Sequence, residues 1–472
     1  MSRDTAIRGG ILVTDKERRR ADILCHDGRI AAIGADIDIP AAATVIDAGG
    51  CFVMPGGIDP HTHLELPMAG TRVADDFLSG TRAAVAGGTT TILDFVGPAR
   101  GEPPLDALAA WREKAARSVI DYGFHMTVSW WGDLFERQMT TLVRDEGVTS
   151  FKFFLAYKGG LMLPDADILA AFERCRDLGA LAQMHAENGE IIAFLQEKLR
   201  TKGILEPRGH VLSRPPYAEE EASVRAIALA EAAGVPLYIV HVSTAGAADA
   251  IARAQSRKAR VFGETLPGFL SIDDRVYGSP DFDMAAGHVM SPPFRPAEHQ
   301  RALWRAIEDG VLSVTATDHC CFTREQKRLG REDFTLIPNG CGGVGDRMEI
   351  LWELGVASGR LTPEQFVALT SANAARIFNL WPAKGCLAVG ADADIAILDP
   401  ARGRTIRAAD QIQNTDFSIW EGRRVSASIV HTLSRGRHLW ADGELRADPG
   451  HGRYVARRPY GPAYGVNPHT GL

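Results

Sequence analysis

The sequence predicts an α/β protein in which a (β/α)8 TIM barrel carries a smaller β-sandwich domain formed from both chain ends. Two observations lead to this prediction. Eight short apolar runs alternate with Ala-rich helical stretches through the central part of the chain, and alternating apolar and polar residues mark the two flanking parts. Strands separated by helices pair in parallel, and eight such units over roughly 300 residues fit a barrel.

The flanking segments read as short β-strands between Gly and Asp turn signals. The N-terminal ones are AIRGGILVTD, RRADILCHDGRIAAIG and ATVIDAGGCFVMPG, and the later ones are CLAVGADADIAILDP and SASIVHTLSRGRHLWADGELRA. Because both sets share this pattern and flank a different central block, we predict that residues 1–54 and 381–447 form one β-sandwich domain.

The central block, residues 55–380, contains the eight candidate barrel strands. In chain order they lie in GGIDPHTH, TTTILDFV, YGFHMTVSW, SFKFFLAYK, ALAQMHAEN, PLYIVHVS, ARVFGETL and VLSVTATDHC. A doubly wound open sheet is the alternative, but its dinucleotide fingerprint should open the first strand-to-helix turn. No such fingerprint is present there.

One segment imitates that fingerprint. GCGGVG, residues 340–345, matches G-x-G-x-x-G and precedes the helical-looking DRMEILWELGVASG, but RLTPEQFVALTSANAARIF, which comes next, reads as another helix. A dinucleotide site needs a second parallel strand with an acid at its end. We therefore interpret GCGGVG as a Gly-rich loop near a pocket.

The final segment, residues 448–472, is rich in Gly, Pro, Tyr and Arg. No packed element fits that composition. We predict an extended arm, which either lies on a neighbouring subunit or frays as a free terminus.

Composition narrows the class of protein. The 472 residues are 45% hydrophobic with a net charge of −7, which argues against a nucleic-acid partner. No run approaches the roughly 20 apolar residues of a membrane span, and the start of the sequence has charges where a secretory signal would carry its apolar stretch. We expect a cytoplasmic protein whose seven cysteines are reduced thiols; the adjacent Cys320 and Cys321 read as small buried hydrophobes.

Six ionisable residues interrupt the apolar runs: two close the first run, one lies within the fourth, and one ends each of the fifth, sixth and eighth. They are His61, His63, Lys152, His185, His241 and Asp318. A single one could be a satisfied core residue, but burying all six without compensation would cost several kcal/mol each. A metal that uses their lone pairs is the simplest explanation, because the carboxyl ends of barrel strands meet at one face.

The residue types restrict the ion. Imidazole and carboxylate suit zinc, and also manganese, iron or cobalt. Four histidines and one aspartate exceed the needs of one catalytic zinc, so two ions about 3.5 to 4 Å apart with a bridging anion would use them all. Lys152 does not fit this scheme unmodified, since an ammonium would repel two cations.

A resemblance completes this picture. PGGIDPHTHLELP, SFKFFLAYK, MHAENGE, YIVHVS, MSPPFR, TATDHC and IPNG resemble the cyclic amidohydrolases, specifically the dihydropyrimidinase and D-hydantoinase group. The resemblance implies a homotetramer and two divalent ions per chain, for which zinc is the first candidate. It also implies that His61, His63 and Asp318 bind one ion, that His185 and His241 bind the other, and that CO2 on Lys152, as a carbamate, bridges them.

The implied reaction is hydrolysis of a cyclic amide in 5,6-dihydropyrimidines or 5-substituted hydantoins, giving N-carbamoyl amino acids. Two ions lower the pKa of a shared water, and Asp318 transfers its proton to the leaving nitrogen. The resemblance assigns Tyr157 as oxyanion donor and the main chain at Ser291 and Asn339 as substrate-binding groups. Leu64, Leu66, Phe153 and Leu161 are expected beside the exocyclic substituent.

Three other functions compete with this one. Dihydroorotases place an arginine two residues after H-x-H to bind a carboxylate, whereas this chain has Glu65, which would repel that anion. An allantoinase-like activity stays open. A non-catalytic scaffold on the same fold is disfavoured because every ligand position is filled.

Overall fold

The computed structural model describes residues 4–68, 70–461 and 463, and its centre is a nearly closed parallel barrel. Its strands, numbered here in chain order, are β1 Gly57–Thr62, β2 Thr89–Val96, β3 Asp121–Thr127, β4 Ser150–Phe154, β5 Leu181–His185, β6 Leu237–Ile239, β7 Val261–Thr265 and β8 Val314–Thr315. Each strand pairs with its neighbours in sequence, so the strand order in the sheet runs from β8 to β1. A parallel bridge from Thr62 to His319 joins the two edges, which confirms the predicted barrel.

Helices cover the outside of the barrel. The longer ones are Phe77–Ala86, Pro104–Ala115, Asp133–Arg144, Asp165–Leu178, Gly189–Thr201, Pro216–Ala233, Ala245–Ser256 and Ala297–Glu308. Shorter ones are Arg208–Ser213, Phe282–Gly287, Arg324–Lys327, Arg347–Leu351, Pro363–Val367 and Asn373–Ile377, with π turns at Trp352–Ala357 and Ala368–Ala372. Further 3-10 turns are Asp274–Gly278, Arg328–Gly330, Phe334–Leu336 and Ala408–Asp410.

Local sequence explains where these helices begin and end. Asp76 caps the helix Phe77–Ala86 by accepting from the Ser79 backbone, and the Ser79 side chain completes the capping box. Gly179 and Gly234 end the helices before β5 and β6 with φ of 69° and 71°, a left-handed conformation that glycine adopts at little cost. The chain then enters the next strand.

Both chain ends supply the second domain, as predicted. Its larger sheet orders Glu444–Leu445, Arg437–Ala441, Ser428–Ser434, Ile395–Asp399, Phe52–Pro55, Ile11–Val13 and Arg18–Arg20; its smaller sheet orders Arg29–Gly34, Asp22–His26, Thr5–Arg8 and Thr44–Asp47. Two short ribbons pair Pro67–Met68 with Thr71–Arg72 and Arg404–Thr405 with Arg424–Val425. Ile23 from the smaller sheet and Ile395 from the larger belong to one apolar cluster, so the sheets form a sandwich. The boundaries 54/55 and 380/381 stay predictions.

The C-terminal segment runs in extended form along the barrel of its own chain. The amides of Gly452, Val455, Arg457 and Tyr460 donate to carbonyls that lie at or just before the starts of β3, β4 and β5. These described residues therefore cover the amino ends of the strands, opposite the face predicted to hold the site. Residues 462 and 464–472 of the predicted arm lie outside the described residues.

The GCGGVG loop does not open a nucleotide-binding unit. A short helix, Arg347–Leu351, follows it, and the next strand in the described part of the chain, Ile395–Asp399, belongs to the sandwich. The loop instead pairs with the segment that follows β8, through a bridge between Cys341 and His319.

All seven cysteines are buried and none forms a disulfide. Within the described residues, every helix is too short or too polar to cross a bilayer.

A buried cation ties the amino end of the barrel to the sandwich. Lys384 Nζ lies 2.7 Å from Asp121 at the start of β3, 3.0 Å from Asp392 and 2.6 Å from Asp394, and only 3% of its side chain is exposed. Arg435 of the sandwich also pairs with Asp121. Lys384 and Arg435 together thus balance three carboxylates between the domains.

Replacing Lys384 by Ala should therefore leave two buried carboxylates, Asp121 and Asp394, and the partly exposed Asp392 without their shared cation. We expect the free energy of unfolding to fall by about 3 to 5 kcal/mol, measured by urea denaturation at neutral pH. Lys16→Ala, at an exposed lysine, is the control and should change it by less than about 0.5 kcal/mol. A loss below about 1 kcal/mol for Lys384→Ala would contradict the role given to this cluster.

Candidate metal centre

The six ionisable residues singled out in the sequence converge on one cavity at the carboxyl end of the barrel. The cavity has a volume of about 340 Å³ and is lined by His61, His63, Lys152, His185, His241 and Asp318, together with Tyr157, Ser291 and Asn339. This volume is typical of a small-molecule site. Strand geometry explains the convergence, because the carboxyl ends of all eight strands open on this face.

His61, His63 and Asp318 form a tight group. Asp318 Oδ1 lies 3.2 Å from Nε2 of His61 and 3.1 Å from Nε2 of His63. The two histidines are two residues apart, so they leave the end of β1 in the same direction. Burial alone would raise the pKa of Asp318, but the two imidazoles hold it below its ordinary value.

A second group faces the first. Nδ1 of His185, the last residue of β5, lies 3.0 Å from Nε2 of His241. Lys152 projects from β4 with its Nζ 4.9 Å from the ring centre of Phe95 and 5.3 Å from that of Phe154. Burial among these groups lowers the pKa of Lys152 to about 7, so much of its amine is neutral near neutral pH.

The donor set fits a pair of divalent ions. Nδ1 of His61 donates to Glu264 at 2.7 Å, so its Nε2 carries a lone pair, and that buried atom has no hydrogen-bond partner. Buried Nδ1 of His63 also lacks one. A lone pair directed at a carboxylate oxygen 3.2 Å away is unfavourable without a cation between them. Imidazole and carboxylate are ligands for zinc and similar metals.

Three of the cavity residues have a left-handed backbone. Tyr157, His241 and Asp318 have φ of 63°, 38° and 51°. Strand β6 ends at Ile239 and β8 at Thr315. His241 and Asp318 therefore lie just beyond these strands, whereas the sequence predicted that they end them. A positive φ is costly for a residue with a Cβ and recurs at functional sites; here it turns the side chains into the cavity.

Buried acids, which the sequence analysis did not single out, hold the histidines. Glu264 in β7 accepts from His61, from the amide of His241 at 3.0 Å and from the hydroxyl of Tyr238 at 2.8 Å. Burial raises the pKa of Glu264 to about 7. A signal existed, because the acid ends an apolar run in ARVFGETL as the other site residues end theirs.

Glu187 plays the equivalent part for His185. Its Oε2 lies 2.8 Å from Nε2 of that histidine and 2.6 Å from Nη1 of Arg214. Burial would raise the pKa of Glu187, yet Arg214 and His185 lower it to about 2. Nε2 of His185 is thereby fixed as a donor, which leaves Nδ1 for the cavity.

The acid before the H-x-H pair closes the barrel. Asp59 accepts from the amide of His61 at 3.2 Å and from the hydroxyl of Thr317 at 2.6 Å. It therefore links β1 to the segment after β8 that carries Asp318. The bridge between Thr62 and His319 joins the same two chain regions.

The residues expected to contact substrate also reach the cavity. Tyr157 packs against His185 with ring centres 5.2 Å apart, and the guanidinium of Arg214 lies 5.6 Å from the Tyr157 ring centre. Burial raises the pKa of Tyr157 to about 12, so its hydroxyl stays protonated and can donate. Ser291 and Asn339 line the same cavity.

Two of the four apolar residues expected at the pocket lie elsewhere. Leu66 and Leu161 line the cavity, but Phe153 packs against Phe172 of the outer helix Asp165–Leu178. Successive side chains in a strand point to opposite sides, so Lys152 facing inward places Phe153 outward. Leu64 is buried against Gly80, where an added Cβ would lie 2.4 Å from it.

Other residues take their place. The cavity wall also contains Met68, Phe154, Gly160, Cys320, Thr335, Ile337 and Gly340. Phe154 stacks on His185 with ring centres 5.5 Å apart. Burial raises the pKa of the Cys320 and Cys321 thiols well above the ordinary value, which agrees with their interpretation as small hydrophobes.

Replacing Glu264 by Gln should test its hold on His61. An amide cannot supply the same charged acceptor, so we expect zinc affinity to fall by about 10- to 100-fold, measured by competition with a chromophoric chelator. Glu298→Gln, on the exposed surface of Ala297–Glu308, is the matched control. Unchanged affinity in Glu264→Gln would remove this role.

Comparisons with known proteins agree with this geometry. Residues 52–439 match the model of the Amidohydrolase family. A dihydropyrimidinase of Rattus norvegicus is 45% identical over 460 residues, covering 96% of this chain and 89% of the relative. A D-hydantoinase of Geobacillus stearothermophilus is 44% identical, covering 96% and 97%.

Solved structures share this fold over nearly the whole chain. The crystal structure of a dihydropyrimidinase from Brevibacillus agri superposes with a TM-score of 0.95 at 43% identity, covering 97% of this chain and 99% of that one. An L-hydantoinase from Arthrobacter aurescens superposes with a TM-score of 0.88 at 30% identity, covering 96% and 100%. With most of its length matched by the family model and by relatives of this identity, the chain belongs to the amidohydrolase family.

Proposed function

We propose that this protein hydrolyses the cyclic amide bond of 5,6-dihydropyrimidines such as dihydrouracil, and of 5-substituted hydantoins, to N-carbamoyl amino acids. The observation that carries the proposal is the convergence of four histidines, Asp318 and Lys152 on one cavity of about 340 Å³. The dihydropyrimidinase and hydantoinase relatives support this substrate class.

Two divalent ions would occupy the centre. His61, His63 and Asp318 would hold one, His185 and His241 the other, with zinc as the first candidate. When bound, such a pair lowers the pKa of a shared water and polarises a carbonyl. The unpartnered Nε2 of His61, which lies 3.2 Å from Asp318 Oδ1, supports this assignment.

Lys152 would join the two ions after reaction with CO2. A neutral amine is needed for that reaction, and the pKa of Lys152, lowered to about 7 by burial, makes it available near neutral pH. The neutral amine forms an N–C bond with CO2 and releases one proton, which gives an anionic carbamate. The charge conflict of an ammonium beside two divalent ions disappears.

Asp318 is placed to move the proton. It lies 3.1 Å from His63 and 3.2 Å from His61, and its depressed pKa keeps it ionised and ready to accept. It would take a proton from the attacking water and return it to the leaving ring nitrogen. The Tyr157 hydroxyl would donate to the oxygen on which negative charge develops.

Substrate recognition would fall to main-chain groups and an apolar wall. Amide and carbonyl groups at Ser291 and Asn339 would hydrogen-bond the ureide edge of the ring. Leu66, Phe154 and Leu161 would surround the exocyclic substituent, and such a wall discriminates only weakly among apolar side chains. A range of 5-substituents is therefore expected.

The competing readings have less support. The relatives described above carry dihydropyrimidinase or hydantoinase names, which favours this activity over an allantoinase-like one. A scaffold without catalysis would have no need for a complete set of buried ligands. The cytoplasmic location and the homotetramer expected from the sequence remain predictions.

The decisive experiment measures the turnover of dihydrouracil, hydantoin, phenylhydantoin and allantoin. The number of metal ions bound per chain is measured in the same protein preparation. We expect about two ions per chain and hydrolysis of the first three at higher kcat/KM than of allantoin. Folded protein that stays inert after reconstitution with zinc or manganese and bicarbonate would refute the proposal. Faster hydrolysis of allantoin would favour the alternative.

Lys152→Ala should abolish hydrolysis and reduce bound metal, because the bridging anion is lost. Short carboxylates such as acetate or propionate should restore part of the activity by occupying the space of the carbamate. Lys202→Ala, at an exposed lysine, is the control and should behave as wild type. Normal metal content and activity in Lys152→Ala would exclude the bridging role.

A further inference from the structure

A buried lysine outside the metal centre contacts the wall that carries the substrate-binding main chain. Lys327 ends the short helix Arg324–Lys327 and is 1% exposed. Its Nζ donates to the carbonyl oxygens of Val289, Pro338 and Gly340, each at 2.7 Å. An ammonium has three hydrogens to donate, so all are used on main-chain oxygens.

Those three carbonyls flank the two residues assigned to the ureide edge. Val289 lies two residues before Ser291, and Pro338 and Gly340 lie on either side of Asn339. The amide of Gly340 also donates to Val289 O at 2.9 Å, which joins the two segments directly. We name residues 289–291 and 338–340 the recognition wall.

The wall is connected to the catalytic carboxylate. The Cys320 amide, two residues after Asp318, donates to Cys341 O at 3.0 Å, one residue beyond the wall. A shift of the wall would therefore change the distance from the bound ring to Asp318.

The same short helix holds another side of the cavity. Gln326 Nε2 donates to Thr71 Oγ1 at 2.8 Å and to Arg72 O at 2.6 Å. These residues belong to the ribbon that pairs Pro67–Met68 with Thr71–Arg72, and Met68 lines the cavity. Adjacent residues of one helical turn thus fasten two parts of the pocket.

Burying the amine of Lys327 costs free energy of desolvation, which a side chain with a purely structural role would not need to cost. Its hydrogen-bond partners within the described residues are the three carbonyls, its Nζ lies 5.5 Å from the ring centre of Phe322, and none of these groups is charged. Burial lowers the pKa of Lys327 to about 8. An apolar side chain would fill this space without such desolvation, but it could not draw three carbonyls from separate segments to one point.

We propose that Lys327 is a positioning residue that sets the spacing between the main chain at Ser291 and at Asn339, and so controls how the cyclic ureide is bound. This inference rests on the function proposed above. Lys327 does not touch the reacting atoms; it acts through the backbone of the recognition wall. Loss of its donors would leave carbonyls unpaired and let the two segments separate.

The test compares Lys327→Met, which retains length but cannot donate, with Lys327→Gln, which retains two donors. We expect Lys327→Met to raise KM for dihydrouracil by about 10-fold or more and to lower kcat/KM by up to about 10²-fold, with two metals still bound. Lys327→Gln should lie between Lys327→Met and wild type. Arg328→Met is the matched control, since Arg328 is the next residue but its side chain pairs with Asp283 on the surface.

The outcomes separate the two proposals. Wild-type protein that is inert with two metals bound would overturn the proposed function. Active wild type with an unchanged KM in Lys327→Met would overturn the positioning role alone. If Lys327→Met fails to fold, Lys327→Gln provides the test. A raised KM with full metal content in Lys327→Gln supports the positioning role. Reduced metal content, or a reduced kcat at unchanged KM, would show that Lys327 has a merely structural role.

Discussion

The structure depends on keeping several ionisable side chains buried at one end of a barrel. His61, His185, His241 and Lys152 are almost fully buried, and such groups are unfavourable in an apolar interior unless a partner compensates them. Burial keeps the imidazoles neutral, since it is the main cause lowering the pKa of each of these histidines. The lone pairs that result are what makes the cavity suited to cations.

A surrounding layer of carboxylates makes this arrangement possible. Glu264 fixes His61, Glu187 fixes His185, and Asp94 accepts from the amide of Leu64 at 2.9 Å, just after the H-x-H pair. Asp59 joins the first and last strands. Each acid orients a cavity histidine or the main chain next to one. The geometry of the cavity is therefore determined by residues that do not line it.

The two ends of the barrel have different tasks. At the amino end, Lys384, Asp121 and the extended C-terminal segment bind the sandwich and the barrel together. At the carboxyl end, loops with left-handed residues such as Asp318 and His241 point side chains inward. Stability and chemistry are thereby separated along the barrel axis, as in other barrels of this class.

The sequence by itself determined the eight strands, the shared sandwich and the histidines that line the cavity. Periodicity reports these because alternation and apolar runs reflect which face of an element is buried. Only the tertiary structure decided that Phe153 faces the helices, that Glu264 and Glu187 hold the histidines, and that Lys327 gathers three carbonyls. These contacts join residues distant in sequence, and no local pattern encodes the distance between two strands or the direction of a left-handed turn.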